Sequence, residues 1–332
     1  PRPDLFPGLR LVGPAAGVRL RYRWPMQRNM IRFAAVLSAA LLAPPALAQV
    51  LPETTATRHT IDSDGHPLAV WAKRPAEPRG IVVLVHGRTW SSLPDFDLQV
   101  PGESLSLMDG LAEAGYATYA VDLRGYGGTP RDATGWLTPD RAAADVAQVL
   151  EWVGETNQDL EPPFLFGWSL GSMVSQLTVQ RHPERVSGVI LFGYPFSVSR
   201  RIPIEPAPGV PPREPTTAEA AASDFITEGS ISQRAIDTYV KVALAADPVR
   251  VDWSHRQQWK ALDPAAVTVP TLLIHGEHDP FTPIERQMLF FAMLGTADRQ
   301  WVVVPGGDHA ALLEICRDYF IRALVSFIEL PR

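Results

Sequence analysis

Pro163-Phe164-Leu165-Phe166-Gly167-Trp168-Ser169-Leu170-Gly171-Ser172 carries an apolar run directly into a Gly-x-Ser-x-Gly string. Met173 to Arg181 follows at once with helical character. Strand, tight turn and helix in that order hold a serine hydroxyl exposed at a strained turn tip. Gly167 and Gly171 leave out the Cβ atoms that would clash where strand and helix approach. The helix start behind Ser169 also offers free N–H groups to a developing negative charge. Short strings of this kind recur by chance, so the flanking sequence has to decide.

The chain has 332 residues, 46% hydrophobic and 20% charged, with a formal net charge of -6. That composition describes a globular protein long enough for a large core. No basic excess points to nucleic acid, and no run of like charge points to a polyelectrolyte tail. The 32 prolines are numerous, and their clustering between Pro195 and Pro215 predicts a long irregular connection.

Residues 1–48 do not read as fold. Residues 1–25, rich in Arg and Pro and lacking an initial Met, read as an upstream or disordered extension. After Met26 or Met30, Arg28 and Arg32 form a positive region, Phe33 to Leu42 an apolar one, and Ala46-Leu47-Ala48 a small-x-small cleavage site. This is the pattern of a secretory signal peptide, too short and Pro-broken for a stable span. The expectation is an exported, periplasmic or secreted protein with no stable membrane anchor. A single cysteine, Cys316, excludes an intrachain disulfide and lies far from any lipidation site at the mature end.

Beyond the leader, strands and helices alternate. Thr54 to Asp64 reads as a polar lead-in, Asp64-Gly65 as a turn, and Pro67 to Lys73 as an alternating strand. Ile81 to Val85 is a β-branched run suited to burial on both faces. Helical spacing over Ser104 to Ala114 ends at Gly115, and Tyr116 to Val121 is the next strand. Thr138 to Val153 predicts an amphipathic helix capped by Thr138, with Asp140 and Asp145 on its polar side. Val186 to Phe192, Thr271 to Ile274 and Trp301 to Val304 read as strands. Ile284 to Leu294 and Ala310 to Ile328 read as helices. The alternation implies a mainly parallel sheet covered by helices on both faces. Right-handed crossovers then bring His86 to Trp90, Ser169, Asp279 and His309 to one sheet edge.

Taken together, His86-Gly87, Asp122-x-Arg124-Gly125-x-Gly127, Gly167-x-Ser169-x-Gly171, Gly276-x-x-Asp279 and Gly307-Asp308-His309 resemble the α/β-hydrolase superfamily, in its serine esterase and lipase-like branch. The match covers roughly Val70 to Phe327. The resemblance implies the α/β-hydrolase fold, with core parts at 49–194 and 263–332 and a helical lid at 195–262. It also implies Ser169 as nucleophile, His309 as base and Asp279 as the acid that orients it, in the family's chain order. The N–H groups of Arg88 and Leu170 would form the oxyanion hole. Locally, Gly-Trp-Ser-Leu-Gly with His182-Pro183-Glu184-Arg185-Val186 is similar to the elbow of pimeloyl-carrier methyl ester esterases, although export argues against a cytoplasmic biosynthetic role.

The residue types make chemical sense. A serine hydroxyl is a poor nucleophile until a base within hydrogen-bond reach takes its proton. A carboxylate behind the imidazole fixes its tautomer and stabilises the imidazolium. Other assignments compete. Glu277 and Asp308 are alternatives to Asp279, as are His275 and His278 to His309. His86 is expected to be a structural loop histidine, and Asp122 and Arg124 to brace each other or the loop. Asp95-x-Asp97 reads as a solvated loop rather than a metal site, and His59, His66, His182 and His255 lack metal-ligand spacing. No dinucleotide or phosphate-cradle motif occurs, so no cofactor is expected.

Between Tyr194 and Leu262 the alternation fails: Ile202 to Pro215 is Pro-rich, and Thr217 to Ile226 and Ser232 to Ala245 are helical. Trp90, Trp168, Tyr194 and Phe196 are expected to line an apolar pocket, which favours a small uncharged ester as substrate. A Ser at the nucleophile position excludes the Asp-dependent dehalogenase and epoxide hydrolase chemistries. Acyl transfer, cofactor-free haloperoxidase-like chemistry and non-catalytic ligand binding stay open on the same residues, and the oligomeric state is not legible.

Overall fold

The computed structural model describes residues 56–197 and 209–331. The expected leader and the first half of the Pro-rich run, residues 202–208, lie outside them. Three strands open the fold: β1 (Thr57–Ser63), β2 (His66–Lys73) and β3 (Gly80–Val85). Next come α1 (Ser92–Phe96), α2 (Leu107–Glu113), β4 (Tyr116–Val121), a two-residue β5 (Trp136–Leu137) and α3 (Pro139–Thr156). The elbow strand β6 (Phe164–Trp168) leads into α4 (Leu170–Arg181), and β7 (Gly188–Phe192) follows. An insert holds α5 (Ala218–Ala222), α6 (Gln233–Ala246) and β8 (Asp252–Trp253). The chain closes with β9 (Thr271–Gly276), α7 (Ile284–Met293), β10 (Arg299–Val304) and α8 (Arg317–Ile328).

The eight-stranded sheet runs β1-β2-β4-β3-β6-β7-β9-β10. β2 is antiparallel to both neighbours, and all later pairings are parallel. Both faces are covered, which explains why β3, β4, β6, β7 and β9 are almost wholly buried and read as continuous apolar runs. One core packs α3 and α4 on one face, and the other packs α2 and α8 on the opposite face. β5 pairs with β8, tying the chain after β4 to the insert.

The structure corrects several boundaries. The lead-in contains a strand, β1, an edge strand whose first residues are exposed. Such a strand gives little apolar signal; the Asp64-Gly65 turn, both residues at positive φ, sets its pairing with β2. Thr138 caps α3 as expected, accepting from Arg141 N. Asp145 is not on a polar face. It is fully buried, takes two hydrogen bonds from Arg124 at 2.7 and 2.8 Å, and accepts from the Ser63 hydroxyl. Arg124 therefore braces α3, not Asp122. Asp95 and Asp97 are not solvated either: Asp95 is buried, and Asp97 pairs with the buried Lys73 at 2.6 Å.

The closing helix begins at Arg317, not Ala310. Two buried carboxylates take backbone donors at the intervening turn and from the insert. Asp308 accepts from Ala310 N, Ile226 N and Thr227 N, and Glu314 accepts from Asp308 N at 2.9 Å. The apolar Ala310 to Leu313, whose pattern suggested a helix, is instead buried as a turn.

Burial, with Asp308 beside it, pushes Glu314 up to about 7 from an ordinary 4.5. Between those values the folded chain keeps a proton that the unfolded chain has released, so stability rises as pH falls through the window. Glu314→Gln is neutral throughout and should lose this part of the pH dependence. Thermal unfolding of both proteins between about pH 5 and 8 checks this; superimposable profiles would count against it.

Candidate active site

Ser169 sits between β6 and α4 with φ 55° and ψ -114°, a left-handed conformation that costs a residue with a Cβ about 1–3 kcal/mol. The surroundings enforce it. A Cβ on Gly171 would overlap the carbonyl oxygens of Val85 and His86, and one on Gly167 would overlap the Gly171 carbonyl. Ser169 N donates to Phe192 O at 2.8 Å. The Ser172 hydroxyl, 2.6 Å from Gly167 O and 2.8 Å from Phe192 O, fastens the first turn of α4 to β6 and β7. Strand and helix thus meet at van der Waals distance with the serine at the apex.

His309 Nδ1 donates to Asp279 Oδ2 at 2.7 Å, both side chains being buried. Asp279 also accepts from the Thr282 hydroxyl at 2.7 Å and from Phe281 N at 2.8 Å. Burial alone would raise its carboxyl, but the bonds from His309, Thr282 and Phe281 outweigh this and hold it below its usual value. The rival assignments are otherwise occupied. Glu277 accepts from Gly306 N, Asp308 binds backbone N–H groups, His275 Nδ1 accepts from the Trp301 indole, and His278 is exposed.

Two successive residues, Phe192 and Gly193, touch Ser169 and His309 in turn. Phe192 O holds Ser169 N, and the next residue, Gly193, has φ +57° and would place a Cβ 3.0 Å from His309 Cε1. Only the missing side chain leaves room for the imidazole. Trp168 fixes the other side, its indole donating to His309 O at 2.8 Å. The Ser169 hydroxyl has no hydrogen-bond partner among the described residues, His309 included.

The loop after β3 faces the apex. His86 is fully buried, its Nδ1 2.8 Å from Gly87 O and its Nε2 accepting from Leu123 N, a structural role as expected. Asp122 accepts from Ser92 N, Gly128 N and the Trp71 indole. The N–H groups of Arg88 and Leu170 donate to no acceptor among the described residues; the Arg88 side chain is exposed. Of the expected pocket residues, Trp90, Trp168 and Tyr194 are almost fully buried and Phe196 is half-buried, packed on Phe290. Tyr194 stacks on the same ring.

Two residues at the site escaped sequence reading. Phe281, 55% exposed, stands edge-on to the His309 ring with centroids 5.0 Å apart. Its position two residues after Asp279 was the available signal. Asp224, from the insert, accepts from the Trp90 indole at 3.0 Å and lies close enough to His309 for their charges to interact. Burial pushes it up to about 6, opposed by His309 and Trp90. Nothing in the local sequence marks it. Among the described residues no group of three or more His, Cys, Asp or Glu side chains could hold a metal ion, and no helix is long and apolar enough to cross a membrane.

Known proteins share this architecture. The biotin biosynthesis bifunctional protein of Cellvibrio japonicus is 28% identical over 251 residues, 70% of this chain and 44% of its own length. This chain thus spans under half of that relative. The monoacylglycerol lipase of Mycolicibacterium smegmatis is 23% identical over 263 residues, 74% of this chain and 86% of its own. Among solved structures, a serine hydrolase involved in carbazole degradation superposes with a TM-score of 0.60 at 19% identity, covering 83% of this chain and all of the other. The sequence profile Hydrolase_4, serine aminopeptidase S33, matches residues 76–315. With that match across most of the chain and the fold described above, the protein belongs to the serine aminopeptidase S33 family of α/β-hydrolases.

Proposed function

We propose that the protein is a serine hydrolase that cleaves carboxylic esters through an acyl-enzyme. The observation that carries this reading is the buried 2.7 Å bond from His309 Nδ1 to Asp279 Oδ2, set beside a serine at a strained turn tip. With Nδ1 donating, the neutral ring leaves Nε2 as the acceptor that a serine hydroxyl needs. Ser169 Oγ attacks the ester carbonyl carbon while Nε2 takes its proton. The tetrahedral oxyanion is met by the N–H groups of Arg88 and Leu170. Collapse expels the alcohol, which leaves with the proton from Nε2. Water, deprotonated by the same nitrogen, attacks the acyl carbon, and Ser169 recovers its proton as the acid departs. No step calls on a cofactor.

An ester substrate fits the apolar surroundings of the imidazole, which lies against the rings of Phe281 and Trp168. It also agrees with the relative that is a monoacylglycerol lipase. In this reading the insert acts as a lid, and residues 1–48 direct export and are removed near Ala48.

Four outcomes are expected. A fluorophosphonate should label the wild type at Ser169 and leave Ser169→Ala untouched, with aryl ester turnover falling by about 10⁴–10⁶. A wild type that neither labels nor turns over refutes the reading. Asp279→Asn should lower kcat by about 10⁴ through the wrong imidazole tautomer, without loss of fold by circular dichroism. Phe281→Ala should shift acyl-length preference while leaving the melting temperature nearly unchanged, because the ring is largely exposed; an unaltered ester series would remove Phe281 from the pocket. Finally, N-terminal sequencing of the exported protein should start at Gln49.

A further inference from the structure

The loop between β3 and α1 is held at several points by side chains from other parts of the chain. Gly87 N donates to Asp95 Oδ2 at 3.2 Å, Ser91 N to Asp247 Oδ2 at 2.8 Å, and Ser92 N to Asp122 Oδ1 at 2.9 Å. The Trp90 indole donates to Asp224. Arg88 O accepts from the Tyr126 hydroxyl, which itself receives the Trp253 indole N–H at 3.0 Å. Behind Asp95, Oδ1 accepts from the Tyr239 hydroxyl at 2.9 Å. Asp224, Tyr239, Asp247 and Trp253 all belong to the insert. Donors before and after Arg88 are thus fixed, while the N–H of Arg88 itself is left unpartnered among the described residues.

Asp247 is the centre of this arrangement. It is the C-cap residue of α6 and nearly fully buried. Its second oxygen accepts from Gly127 N at 2.8 Å, so one carboxylate joins the loop after β3 to the loop after β4. Those two loops are further joined by the Tyr126–Arg88 contact. Burying a carboxylate is costly, and burial pushes Asp247 up to about 6 against the pull of its N–H partners.

We infer that Asp247 is a positioning residue for the oxyanion hole: by clamping Ser91 N and Gly127 N it aims the Arg88 N–H at the reacting carbonyl, with Tyr239 supporting the same loop through Asp95. The insert is then part of the catalytic apparatus as well as a cover, and its displacement would disorganise the oxyanion site. This inference rests on Ser169 as nucleophile and Arg88 as oxyanion donor.

The test compares wild type, Asp247→Ala, Asp247→Asn and Tyr239→Phe for kcat and KM on an aryl ester, for inhibition by an aryl boronic acid that forms a tetrahedral adduct, and for melting temperature. A mis-aimed oxyanion donor should cost Asp247→Ala about 10–100-fold in kcat with KM within about threefold. Boronate affinity should weaken in parallel. Asp247→Asn keeps one acceptor oxygen and should recover part of the loss. Tyr239→Phe, which keeps the ring, should show a smaller loss of the same kind and covers the case in which Asp247→Ala does not fold. Folded variants with lower melting temperature but unchanged kcat and boronate affinity overturn the inference while leaving Ser169 labelling intact. A wild type that no fluorophosphonate labels overturns it together with the reading beneath it.

Discussion

A buried hydrogen bond from His309 Nδ1 to Asp279 Oδ2 is the interaction on which the site depends. A carboxylate taken out of water loses several kcal/mol of solvation unless donors replace it. Asp279 has three, from His309, Thr282 and Phe281 N, which together keep it ionised. That arrangement sets the imidazole tautomer and its direction. It requires the ends of β9 and β10 to be neighbours, which the parallel pairing of those strands supplies. It also requires a bare backbone at Gly193, where any side chain would push the ring away. The sheet order is therefore what lets residues 279 and 309 meet.

Much of this was legible in the sequence, for a physical reason. The elbow needs glycines at two fixed offsets because Gly171 lies against Val85 and His86, and such demands leave a signature that does not depend on the rest of the chain. Strands buried on both faces read as continuous apolar runs, and β3, β6 and β7 were visible for that reason. What escaped has a common cause as well. β1 lies at the sheet edge, where one side of the strand meets water and composition says little. Asp95, Asp145 and Asp224 look like surface residues locally. Asp95 and Asp145 are buried, and Asp224 partly so, because their partners, Tyr239, Arg124 and Trp90, come from distant parts of the chain. The turn before α8 was misread because its apolar residues are buried whether or not they are helical.

The helices of the insert present few buried residues of their own; α6 buries Ala235, Tyr239 and Ala243. Much of its attachment to the loop after β3 is polar, through Asp224, Tyr239 and Asp247. Polar attachments are directional where apolar packing is not. An element held by such bonds takes up one defined position on the loop. This is the physical basis for linking the seating of the insert to the shape of the oxyanion loop.

The central claim is that Ser169 carries the acyl group. Rapid acid quench of the enzyme with a slowly deacylating ester, followed by peptide mapping by mass spectrometry, tests it most directly. The account predicts one acyl adduct per chain, located on the peptide containing Ser169 and absent from Ser169→Ala. Turnover with no adduct at any time point, or an adduct on another residue, would contradict it.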